Sequence, residues 1–114
     1  MKKLKQSIGH AWHGIKVVYT RERNFKIHCL IAVAVILLGF VISFSPLQWI
    51  LITICIGFVL SLEVTNSVIE YTWNHLEPNH HPVVGIIKDA MAGAVLIASI
   101  AAAIAGIGII FFLP

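Results

Sequence analysis

The chain has 114 residues, 59% of them hydrophobic and 11% charged, with a formal net charge of +3 and a mean hydropathy of +0.93. This composition excludes an ordinary soluble domain, and the length leaves room for only one unit. It describes a small all-α integral membrane protein whose few polar residues can be weighed one at a time.

From Lys3 to Tyr19, the residues Leu4, Ile8, Ala11, Trp12, Ile15 and Val18 recur on one side, with Lys5, His13 and Lys16 toward the other. The pattern predicts an amphipathic helix over about 3–20 lying on the membrane surface, with an interfacial Trp. A solvated basic leader that only sets topology is the alternative. Ile27 to Phe44 forms the first apolar stretch, and Ser43-Phe44-Ser45-Pro46 reads as a short turn after it. A cleaved signal peptide does not suit this stretch, because the charged region before it is too long and no small-residue cleavage site follows.

Leu47 to Leu62 forms the second stretch, with a helical continuation through Glu70. The polar segment Trp73 to Pro82, bounded by prolines, is expected to leave the helical path. Val83 to Leu113 is the third stretch, interrupted only by Lys88 and Asp89. Spans are therefore expected at about 27–44, 47–70 and 86–113 within one domain covering 1–114, each near the ~20 residues that a crossing requires.

All eight Lys and Arg residues lie outside the Ile27–Leu62 region. By the positive-inside rule, the N-terminus and the loop before the third span are cytoplasmic and the C-terminus lies outside the cell membrane. The five acids, Glu22, Glu63, Glu70, Glu77 and Asp89, then sit at or near the cytoplasmic face. Cys29 and Cys55 are isolated within spans and read as packing residues. Among the six histidines, His10/His13 and His80/His81 are candidate transition-metal ligands, but no Cys partners them and a polar-cap role suits them equally.

Glu63, Asn66 and Glu70 share one helical face. Carboxylates at membrane depth are costly and mark functional sites by default. A helical bundle can bring Glu22 and Asp89 to the same level. Such oxygen ligands suit Mg²⁺, which takes one or two carboxylates and fills its shell with water and phosphate. Lys88, at a helix N-terminus, adds a charge for phosphate. Together these suggest a nucleotide site. Two alternatives stay open at this point: interhelical hydrogen bonding by the acids, and a proton relay or ion pathway in a small transporter subunit. No Walker A loop or protein-kinase signature is present.

Three collinear blocks resemble the bacterial diacylglycerol kinase family of small three-span membrane kinases, which includes undecaprenol kinases. They are Ala11-Trp12-His13-Gly14-Ile15 with Glu22-Arg23-Asn24-Phe25-Lys26-Ile27-His28, the Glu63–Glu70 block matching E-x-x-N-[ST]-x-I-E, and Gly85 to Leu96 around Lys88-Asp89. The resemblance implies a homotrimeric helical bundle with ATP and Mg²⁺ near the cytoplasmic interface and a lipid alcohol entering from the bilayer. It implies Glu63 as general base and Glu22 and Glu70 as metal ligands that also border ATP. Lys88 and Asp89 would contact the nucleotide, as would the loop Asn79, His80 and His81 and, more loosely, Lys3 and His10. Asn66 and Trp12 would join Glu63 on the lipid side. Asn74 departs from the pattern, standing where many relatives have Asp. The run ending in His28 resembles the Gram-positive branch and tilts the expected substrate toward undecaprenol, with diacylglycerol second.

Overall fold

The computed structural model describes all 114 residues as four helices: α1 (Lys2–Arg21), α2 (Arg23–Val41), α3 (Pro46–Leu76) and α4 (Pro82–Phe112). The last three are long and apolar enough to cross a membrane. α1 ends on the single extended residue Glu22 (φ −105°, ψ 112°), from which α2 starts at once. Glu22 is thus fixed at a helix joint.

α3 starts sharply because its first turn is fully capped. Ser45 Oγ accepts from the Gln48 amide N–H at 3.2 Å, Gln48 Oε1 accepts from the Ser45 N–H at 2.7 Å, and Pro46 occupies the first helical position. At the other end the helix continues to Leu76, so Trp73, Asn74 and His75 are helical rather than part of the expected loop. Nothing breaks the helix until Pro78, which disfavours helical backbone at Glu77 before it. The connection shrinks to residues 77–81. α4 begins at Pro82, earlier than the span boundary expected near residue 86, because His81 Nδ1 accepts from the Val83 N–H at 3.2 Å and Pro82 suits the first helical position.

The buried residues of α2 (Phe25, Ala32, Gly39) and of α3 (Gln48, Ile52, Val59, Glu63, Ser67) each fall on one stripe. Glu63 and Ser67 therefore continue the packing face that apolar residues begin. α3 and α4 form the most extensive pair, α2 lies more lightly on α3, and α2 and α4 do not meet. The result is a V with α3 as its floor. α1 touches α2 and α3 but not α4, and the molecule is a slab of 51 × 40 × 20 Å.

The interior apolar cluster of Phe44, Ile52 and Ile109 sits at the end of the bundle remote from Glu63. There the Gln48 side-chain amide donates to the Ile109 carbonyl oxygen at 2.8 Å, tying α3 to the end of α4. Large apolar side chains such as Leu30, Phe40, Phe58, Ile97 and Phe111 are more than half exposed. In a bilayer this costs nothing, because lipid tails solvate them as well as a protein core would. Helix association then rests on close packing and on bonds such as that of Gln48.

Candidate active site

Glu63 is 6% exposed and lies on the face of α3 that packs against α2. Its Oε1 is 3.5 Å from His28 Nδ1 on α2, and its Oε2 is buried with no hydrogen-bond partner. Ser67, one turn on, satisfies its hydroxyl by donating to the Glu63 carbonyl oxygen at 3.1 Å and so gives nothing to the carboxylate. An unpartnered carboxylate oxygen in a buried place is expensive.

Seven residues on, and about 10 Å farther along the helix axis, Glu70 stands half-buried beside Tyr71. The Tyr71 hydroxyl donates to Glu22 Oε1 at 2.6 Å and so binds the α1/α2 joint to α3. Arg21 lies 5.8 Å from the centre of the Tyr71 ring. Tyr71 thus links Glu22 to the residue that follows Glu70, while Glu63 lies about two turns deeper on α3. Lys88 lies on α4: its Nζ donates to Asn74 Oδ1, one helical turn beyond Glu70.

The other candidates are placed differently. Asp89, Asn79 and His80 are exposed, as is His81, whose Nδ1 already caps α4. Asn66 is half-buried on the stripe between Glu63 and Glu70. Lys3, His10 and Trp12 are exposed on α1, about 28, 18 and 15 Å before Glu22 along the helix. α1 does not pack against α4, which carries Lys88, so no helix packing brings these three together with it. No group of three or more His, Cys, Asp or Glu side chains forms a ready metal cage. Glu22 and Glu70 are carboxylates of the kind that suits Mg²⁺, which needs only one or two of them when phosphate and water complete its shell. Glu22 keeps spare acceptor sites beyond the one that Tyr71 uses.

Sequence reasoning passed over Tyr71 and treated His28 only as a marker of a family branch. Both act across helices, Tyr71 on a residue 49 positions away. The available signal was positional, since Tyr71 follows Glu70 and His28 lies under two turns beyond Glu22.

Below His28 the V between α2 and α4 encloses a groove of about 410 Å³, walled by hydrocarbon from residues including Ala32, Ile56, Ala103 and Ile107. His28 and Ser99 are its polar residues apart from the thiol Cys55. A buried carboxylate whose neighbour His28 lines an apolar groove, with two more acids and a lysine at the polar end, suits transfer of a charged group to a lipid.

The prokaryotic diacylglycerol kinase family model matches residues 9–111. The chain belongs to this family. It is 39% identical over 96% of its length to undecaprenol kinase of Bacillus subtilis, covering 87% of that protein. It is 33% identical over 88% of its length to the diacylglycerol kinase of Synechocystis, covering 58% of that protein. With the diacylglycerol kinase of Haemophilus influenzae the identity is 28% over 96% of the chain and 92% of the relative. The chain is a lipid kinase and a multi-pass membrane protein that uses ATP as phosphoryl donor.

Proposed function

We propose that this lipid kinase phosphorylates undecaprenol, with Mg²⁺ bound alongside ATP. The observation that carries the reading is the buried, unpartnered Oε2 of Glu63, whose neighbour His28 lines an apolar groove. Glu63 is the general base. The proton of the lipid hydroxyl passes to Glu63, the alcohol oxygen forms a bond to the γ-phosphorus, and the bond from that phosphorus to the bridging oxygen breaks, leaving ADP with the electron pair. Phosphoryl transfer of this kind asks the protein mainly for positioning and charge neutralisation.

Glu22 and Glu70 hold Mg²⁺, which when bound neutralises phosphate charge. Lys88 contacts phosphate, and Asp89 with the 79–81 loop borders the nucleotide. Asn66 and Trp12 lie on the lipid side. Lys3 and His10 complete the nucleotide site only across a protomer boundary, which supports a homotrimer. The whole chain acts as one kinase domain, with α1 on the membrane surface, the N-terminus and the 77–81 loop in the cytoplasm and the C-terminus outside.

The groove takes the chain segment next to the hydroxyl, and the rest of the lipid stays in the bilayer. Its hydrocarbon walls favour an alcohol whose hydroxyl sits on a bare chain. The ester carbonyls of a diacylglycerol would be desolvated there with few donors available. Diacylglycerol, named in two of the relatives, is the comparison substrate. Initial rates with ATP and each lipid in mixed micelles test the reading. Undecaprenol is expected to give the higher kcat/KM with a strict Mg²⁺ requirement, and a higher value for diacylglycerol would reverse the substrate assignment.

A further inference from the structure

Glu63 and His28 meet across two helices, and the contact has an unusual asymmetry. One carboxylate oxygen faces an imidazole nitrogen at 3.5 Å, whereas the other is buried without any partner. Glu63 has a 7% exposed side chain and His28 a 25% exposed one, and His28 also helps to line the groove. Left alone, a carboxylate on a two-methylene arm samples several rotamers and turns either oxygen toward a substrate. An imidazole 3.5 Å away on a neighbouring helix, within ion-pair range, limits that freedom.

We propose that His28 is a positioning residue for Glu63: its Nδ1 holds Oε1, which fixes the carboxylate plane and reserves Oε2 for the hydroxyl of the lipid alcohol. The inference rests on Glu63 being the base. His28 is well suited to the task because α2 carries it both to Glu63 and to the wall of the groove. A merely packed residue there would be apolar like Ile31 and Ala32, which continue the same wall. Neither oxygen of Glu63 takes a hydrogen bond from its own helix, because the Ser67 hydroxyl is directed to the backbone. His28 is thus the side chain placed to orient the acid.

The test is steady-state kinetics on the full-length protein in mixed micelles with ATP, Mg²⁺ and undecaprenol. His28→Ala is expected to lower kcat about 10- to 100-fold, as a loosely held catalytic group does, while KM for ATP stays unchanged. His28→Gln, which restores an N–H donor, is expected to recover part of the loss. Unchanged kcat in His28→Ala overturns the proposal, as does equal loss in His28→Ala and His28→Gln or a loss confined to KM. Size-exclusion profiles and ATP KM of each variant separate misfolding from these outcomes. Glu63→Gln alone distinguishes the two layers. If it retains turnover, the base assignment falls. If it abolishes turnover while His28→Ala does not reduce it, only the positioning role falls.

Discussion

At the scale of residues, the three acids differ by what surrounds them. Glu63 is buried with an orphaned oxygen, whereas Glu70 is half-buried about two turns nearer the polar end, and Glu22 accepts a hydrogen bond at a helix joint. Their substitutions should therefore fail differently. Glu70→Gln is expected to raise the Mg²⁺ concentration needed for half-maximal rate, read from Mg²⁺ titrations at saturating ATP. Glu63→Gln is expected to abolish turnover yet leave nucleotide binding intact, read by equilibrium binding of ATP. Asn74 supplies a neutral acceptor to Lys88. Replacing it by Asp introduces a charged partner that competes with phosphate for the lysine. Asn74→Asp should raise KM for ATP by several-fold, about 1 kcal/mol or less for an exposed pair. The acids were legible in the sequence because charge in an apolar chain is conspicuous. Their partners were not, because a tyrosine or a histidine has many uses and only a packed neighbour selects one.

At the scale of elements, the helices follow from apolar runs and caps, and the deviations have local causes. The second connection is shorter than its polar composition suggests because polarity alone does not end a helix; Pro78 does. The other connection, between α2 and α3, is tight because Gly39 lets Phe44 and Trp49 fold back against α2. A Cβ at Gly39 would lie 2.5 Å from Phe44 and 2.7 Å from Trp49. Gly39→Ala should cost about 1–3 kcal/mol through overpacking and lower the thermal unfolding midpoint in detergent. Gly57 on α3 has open space around its Cα, and Gly57→Ala should be neutral or slightly stabilising in the same assay.

At the scale of the whole molecule, the separation of α2 from α4 creates the groove, and the slab it belongs to is open on the side that faces lipid or a second protomer. Filling the groove is the corresponding test. Ala103→Phe should raise KM for the lipid and leave KM for ATP unchanged; an equal rise in both would mean that the groove is not where the chain lies. The homotrimer proposed above predicts that cross-linking through α1, which carries Lys3 and His10 and does not pack against α4, captures three-chain species in native membranes.

The sequence by itself determined the membrane character, the three apolar crossings, the acid stripe on α3 and the set of polar residues available for chemistry. These depend on composition and local periodicity, which the chain carries without reference to its fold. The tertiary structure alone decided that Tyr71 joins Glu22, that Lys88 meets Asn74, that His28 faces Glu63 and that α2 and α4 leave a groove between them. Each of these is a relation between helices. In a bilayer, where apolar faces are equally content against lipid or protein, apolar pattern does not choose helix partners; shape and a few polar contacts do.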